Sequence, residues 1–264
     1  MPYRIDICEP APDALDILIQ LGALDVAASN GGLAALLPDA VTPEAVSAAL
    51  GGTSNVAVSA ATARDDESVW LLNPMSMRIG EIVIASPEVD AAPDALRLID
   101  SRAFGTGHHP TTALCLEAMQ DIFAVHQPDS VLDVGTGSGI LALAALKMGA
   151  TAAVGLDIDA DALNVAAQNA ELNYLTHRLQ LILGEAGIVS GRWPLVVANV
   201  LAAPLIDMAS VLMQRLASRG QLLLSGIACS LEAEVLNTYK HFGMQAFDSR
   251  TRGGWVALTM RAPW

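Results

Sequence analysis

Apolar residues fall along this chain in two different rhythms. Over the first sixty positions short alternating runs dominate. Residues 3–7 alternate in the manner of a strand with one wet face. Residues 14–21 carry the three-and-four spacing of a short amphipathic helix, entered through Pro12-Asp13. Runs at 25–28 and 33–37 flank Asn30-Gly-Gly, residue types that tolerate the positive φ of a tight hairpin. Thr42-Pro-Glu opens a second helix, with threonine as cap and proline where no N–H is needed. Residues 56–60 close as a fourth strand. The order strand–helix–strand–strand–helix–strand predicts a small ferredoxin-like α+β domain over residues 1–61.

Residues 62–100 keep no settled period and read as a linker and bridging segment. Arg64-Asp-Asp-Glu interrupts it, 70–74 and 78–86 read as extended, and 87–93 is a further break. From 101 to 264 the rhythm changes. Apolar runs at 131–134, 153–157, 179–183, 195–198, 221–225, 244–247 and 255–260 are separated by helical stretches. These centre on Leu141, Leu163 and Leu205, with a short one near Ile188 and another over 231–242. Such alternation predicts an α/β domain built on a doubly wound, mostly parallel sheet with helices on both faces. The last two strands are joined by Arg250-Thr-Arg-Gly-Gly with no helix, so they form an antiparallel hairpin at the sheet edge.

Composition narrows the class. Of 264 residues 53% are hydrophobic and 16% charged, which requires a packed core and excludes disorder. No apolar run approaches the roughly 20 residues of a membrane span. The opening Met1-Pro-Tyr-Arg-Ile-Asp lacks the basic-then-apolar pattern of a signal peptide. Cys8, Cys115 and Cys229 are far apart and without metal spacing, so free buried thiols in a reducing cytoplasm, and no metal site, are expected. A net charge of −14 argues against a protein that grips nucleic-acid phosphates. It leaves two readings open: a surface that steers a basic protein partner, or simple solubility. A monomer is expected.

The candidate chemistry lies at strand ends, where open α/β sheets bind ligands. The first strand runs through Asp133 into Gly135, Gly137 and Gly139. The spacing is G-x-G-x-G, with Ile140 where a dinucleotide fingerprint needs glycine. That disfavours a nicotinamide dehydrogenase and suits a nucleoside ligand without a diphosphate, such as S-adenosylmethionine. The second strand ends in Asp157, 22 residues beyond Gly135, placed to accept both ribose hydroxyls. Asp159 fits a helix N-terminal acid. The fourth strand ends in Asn199, whose amide offers donor and acceptor to an amino-acid moiety or an incoming amine; a turn-forming role is the alternative. Gly184-Glu185 ends the third strand, near the adenine edge.

Upstream, Ala103-Phe-Gly-Thr-Gly-His-His-Pro-Thr-Thr112 forms a second close-approach loop ahead of a helix. Successive His108 and His109 cannot both face one metal as an i, i+4 pair would. One of them positions or deprotonates an acceptor, or holds the loop; Thr111 or Thr112 caps the helix and faces the cofactor.

Taken together, AFGTGHHPTT at 103–112, VLDVGTGSGILALAALKMGA at 131–150, GLDIDADAL at 155–163, ANVLAAPL at 198–205 and LSGI at 224–227 resemble the ribosomal protein L11 methyltransferase family (PrmA). The resemblance implies a class I methyltransferase with a seven-stranded Rossmann-like sheet over 101–264, behind a small domain that recognises the ribosomal protein. It implies S-adenosylmethionine as methyl donor and lysine side chains or the α-amine as acceptors. Carried over by position, Thr112, Gly135, Gly137, Asp157, Asn199 and Gly107 surround the cofactor. Phe104, Gly107 and His108 line the active site, and Asn199, His108 and Phe104 are the catalytic candidates. A strong general base is not expected, because burial alone favours the neutral amine that attacks. A methyltransferase for another protein or a small molecule, or a cofactor-binding module without catalysis, fits the same motifs.

Overall fold

The computed structural model describes all residues except 9, 30, 31, 52–54, 62, 65–68, 71–75, 88, 100–104, 106 and 108; for 28, 29, 55, 63, 64, 69 and 70 it describes the backbone alone. The chain divides into two compact units, Met1–Pro74 and Met75–Trp264.

In the first unit β1 (Tyr3–Cys8), α1 (Ala14–Gln20), β2 (Asp25–Ser29), β3 (Gly32–Leu37), α2 (Pro43–Ala49) and β4 (Asn55–Ala60) follow one another. The sheet order is β2-β3-β1-β4, with every neighbouring pair antiparallel. This is the connectivity of a split βαβ unit. Alternation along β1 and β3 sends Ile5, Ile7, Ala35 and Leu37 to one face, where they pack with Ala14 and Leu18 of α1 and Val46 of α2. Arg4 and Asp6 occupy the other face and pair at 2.6 Å. Thr42 Oγ1 accepts from the Ala45 N–H at 3.3 Å and caps α2. Two short strands, β5 (Ala63–Arg64) and β6 (Val69–Trp70), pair antiparallel beyond β4.

The second unit opens with a small sheet of β7 (Met77–Ile79), β8 (Ile82–Ala85) and β9 (Leu96–Arg97). Next come α3 (Pro110–His126), β10 (Ser130–Val134), α4 (Ile140–Met148), β11 (Ala152–Asp157), α5 (Ala160–Leu172), β12 (Leu179–Leu183) and β13 (Trp193–Asn199). The chain ends with α6 (Ala202–Asp207), α7 (Ala209–Arg215), β14 (Leu216–Ala228), α8 (Glu232–His241), β15 (Gln245–Arg252) and β16 (Trp255–Arg261). The main sheet has the order β12-β11-β10-β13-β14-β16-β15. Its first five strands are parallel, and β16 lies antiparallel between β14 and the edge strand β15. Both faces are covered. Leu114 and Met119 of α3 and Leu143 of α4 pack on one side; Leu205, Leu212 and Val235 of α6, α7 and α8 pack on the other.

Several sequence expectations shift. Residues 78–86 are not one extended stretch but the β7–β8 hairpin, and Ile79, Ile84, Leu96 and Leu98 join the α3/α4 core. Much of the segment read as a bridge therefore belongs to the second unit; its strands are too short for alternation to register. The helix around Leu205 breaks at Met208 into α6 and α7, and the one near Ile188 is a single 3-10 turn over Ala186–Ile188. β15 continues through Arg250-Thr-Arg, so only Gly253 and Gly254 make the turn. Of the three thiols expected to be buried, only Cys115 is; Cys8 ends β1, and Cys229 follows β14, both exposed.

Candidate functional site

The carboxyl ends of β10, β11 and β13 carry Gly135, Gly137, Asp157 and Asn199 of the residues that the sequence singled out. β10 delivers Asp133 and the glycine loop. Gly135 takes φ +72°, and a Cβ there would stand 2.4 Å from Val200 Cγ1, so only glycine lets the loop fold back beneath the end of β13. Asp133 is fully buried. Its Oδ2 accepts from Thr136 Oγ1 at 2.7 Å and from the Ala142 N–H at 3.1 Å. Burial pushes its carboxyl up to about 6, the charge of Asp157 adds to the rise, and the two hydrogen bonds oppose it. The sequence marked Asp133 only as the acid ahead of the glycine loop and gave it no partners of its own. The signal was present: an acid inside an apolar run is expensive unless it is partnered.

Asp157 ends β11 half-buried. Its Oδ2 accepts from the Gly137 N–H at 2.8 Å and its Oδ1 from the Asp159 N–H at 3.0 Å, so the acid and the loop tip are directly joined. Asp159 caps α5, accepting from the Asp161 N–H at 2.8 Å. Between them in the chain, Ile158 is 76% exposed.

Asn199 ends β13 and is buried, in register with Ser225 of β14. The Ser225 hydroxyl donates to the Val256 carbonyl at 3.0 Å. It also reaches the Thr111 carbonyl at 3.5 Å, which ties the start of α3 to this strand. Cys115, in the same interior, is pushed up to about 12 by burial and has no thiolate chemistry to offer.

Thr112 is fully buried in the first turn of α3, but neither threonine caps the helix. His109 does. Its Nδ1 accepts from the Thr111 N–H at 3.3 Å and pairs with Thr111 Oγ1 at 2.7 Å, and its ring meets Trp255 edge-to-face at 5.3 Å. His109 thus has a structural role. His108 and Phe104 lie outside the described residues. Gly107 is seated on the small sheet, where a Cβ would come within 2.8 Å of Ile84 Cδ1.

Three buried polar atoms around these strand ends have no hydrogen-bond partner among the described residues: Thr112 Oγ1, Asp133 Oδ1 and Asn199 Oδ1. Each costs roughly 1–3 kcal/mol while unmatched. A ligand presenting several donors and acceptors at once would satisfy them, and the amino-acid end of S-adenosylmethionine is such a ligand. The acid at the tip of β11 suits its ribose.

A seven-stranded sheet in this order, with the glycine loop after its interior strand β10 and acids at two neighbouring strand ends, is that of a class I methyltransferase, for which S-adenosylmethionine is the methyl donor. The sequence model of the ribosomal protein L11 methyltransferase (PrmA) family matches residues 35–263, and the chain belongs to that family. A ribosomal protein L11 methyltransferase of Geobacter sulfurreducens is 38% identical over 221 residues, covering 81% of this chain and 72% of that protein. The corresponding protein of Chromohalobacter salexigens is 40% identical over 204 residues, covering 76% and 68%. The crystal structure of ribosomal protein L11 methylase from Lactobacillus delbrueckii subsp. bulgaricus superposes with a TM-score of 0.65 at 31% identity, over 71% of this chain and 99% of that one.

Proposed function

We propose that this protein transfers methyl groups from S-adenosylmethionine to ribosomal protein L11, at lysine side chains and the α-amino group. The observation that carries the cofactor site is the set of three unmatched polar atoms at the ends of β10 and β13 and in the first turn of α3, and membership of the family supports the substrate. Asp157 binds the ribose hydroxyls, and the main chain at Gly135 and Gly137 lies against the cofactor. Thr112 and Asn199 hold its amino-acid end, with Gly107 close by; Asn199 also orients the acceptor nitrogen. Phe104 and His108 remain the other catalytic candidates.

The cofactor, when bound, supplies an activated methyl group on a sulfonium. The protein's share is alignment and exclusion of water. Backbone and amide groups orient the acceptor nitrogen, and an apolar surround favours its neutral form, so no residue needs to act as a strong base. The four-stranded unit recognises the substrate, and a net charge of −14 favours a basic one. Three free cysteines fit a reducing cytoplasm.

Mass spectrometry of purified ribosomal protein L11, incubated with the enzyme and S-adenosylmethionine, tests the reading. Mass gains in methyl multiples at lysines or the N-terminus, absent with Asn199→Ala, are the expected result. No gain despite calorimetric cofactor binding would discard this substrate and keep the methyltransferase.

A further inference from the structure

We propose that Ser138 and Asn169 are positioning residues of the cofactor site, pinning the backbone ahead of α3 to the glycine loop. Asn169 sits on α5 with no exposed surface. Its Oδ1 accepts from the Ile99 N–H at 2.8 Å, and its Nδ2 donates to the Ser138 carbonyl at 2.8 Å. Ser138 makes a second connection: its Oγ donates to the Gly105 carbonyl at 2.7 Å. The fit at that point is close, since a Cβ on Gly105 would lie 2.8 Å from Ser138 Oγ. The backbone at Ile99 and at Gly105 is thus tied to residue 138 from both sides. The preceding N–H, that of Gly137, donates to Asp157 Oδ2. The anchored Ser138 is thus the residue next to the one whose N–H meets the ribose-binding candidate.

The residue types suit the task. An asparagine amide holds an acceptor and a donor on neighbouring atoms, so one side chain can satisfy a backbone N–H and a backbone C=O together. Asn173, one helical turn further along, uses the same chemistry: its Oδ1 accepts from the Arg97 N–H at 3.0 Å. Its Nδ2 donates to the Arg97 carbonyl at 2.6 Å and to the Asn169 carbonyl at 2.7 Å. Asn173 holds the same stretch of backbone to α5 yet makes no bond to Ser138. It is the internal control.

This inference rests on reading the glycine loop as the S-adenosylmethionine site, so titration calorimetry with S-adenosylmethionine is the measurement. The unaltered chain is compared with Ser138→Ala, Asn169→Asp and Asn173→Asp, each with its melting temperature. Loss of one hydrogen bond at the loop should raise Kd about 3- to 10-fold in Ser138→Ala and Asn169→Asp. KM for S-adenosylmethionine should rise in parallel, while kcat at saturation holds. Asn173→Asp should lower the melting temperature and leave Kd within about twofold. Unchanged Kd in the first two variants overturns the proposal, as does an equal rise in Asn173→Asp, which would mean general loosening of α5. If Asn169→Asp does not fold, Ser138→Ala decides alone. An unaltered chain that binds no S-adenosylmethionine overturns the reading of the site, and this inference with it.

Discussion

The two sheets treat polarity in opposite ways. In the four-stranded unit no polar side chain among the described residues is buried; the apolar face packs against two helices, and Arg4 and Asp6 stay on the other. In the second unit Thr112, Asp133, Thr136, Ser138, Asn169, Asn199 and Ser225 are all buried, on the glycine loop or the elements that adjoin it. Buried polar groups oppose folding unless they are matched, so a fold keeps them where a ligand or a neighbouring loop completes them. The core of the first unit is thus purely apolar among the described residues. The second unit buries polar groups around the glycine loop and leaves Thr112 Oγ1, Asp133 Oδ1 and Asn199 Oδ1 unmatched there, at a cost in stability.

The contrast breaks first at the backbone. Gly226 has φ +81°, and a Cβ would sit 2.2 Å from the Val200 carbonyl oxygen. Gly226→Ala should cost at least about 3 kcal/mol, left-handed strain plus a forced shift of the chain next to Asn199. Thermal denaturation would show the loss, and calorimetry a weaker cofactor complex. Leu18→Ala, in the fully buried centre of the first unit, should cost about 2–5 kcal/mol. Hydrogen exchange should then report lost protection within residues 1–74 while cofactor affinity stays. If affinity falls as well, the division of labour is wrong.

Asp133 sharpens the comparison through pH. Its folded value of about 6 lies above the ordinary 3.8, so between these limits the folded chain keeps a proton that the unfolded chain has released. The contribution is fully present below about pH 4 and lost as pH rises through about 6, amounting to about 3 kcal/mol. Relative to the parent, Asp133→Asn should therefore gain stability from pH 4 to pH 6. A constant difference in melting temperature would assign the titration to another group. Asp157→Ala removes an acceptor from two backbone N–H groups and should weaken S-adenosylmethionine binding about 10- to 100-fold by calorimetry. Unchanged affinity would take Asp157 out of the ribose role. Smallest of all, Arg4→Ala should shift stability by less than about 0.5 kcal/mol, because its pair with Asp6 is one-third exposed.

The elements were legible wherever hydrophobic period and turn chemistry agreed, as in β1 to β4 and in β10 through β12. The position of the glycine loop, Asp157 and Asn199 at strand ends was legible from the apolar runs that precede them. The misses have physical reasons. β14 opens at Leu216, which pairs with Trp193, but the register then shifts and continuous pairing resumes only at Gln221, so the polar Ala-Ser-Arg-Gly hid no more than an irregular lead-in. Asn169 and Asn173 are spaced like any solvated helical pair, and nothing in the sequence says that their face meets backbone. The helix cap was assigned to threonine by preference, but the imidazole of His109 reached the Thr111 N–H first.

The edge-to-face contact of Trp255 with His109 has an optical consequence. The indole rests against the cap of α3, the helix whose first turn carries Thr112. Its fluorescence should respond when occupancy of the cofactor site moves that cap, giving a label-free signal of binding from within the chain.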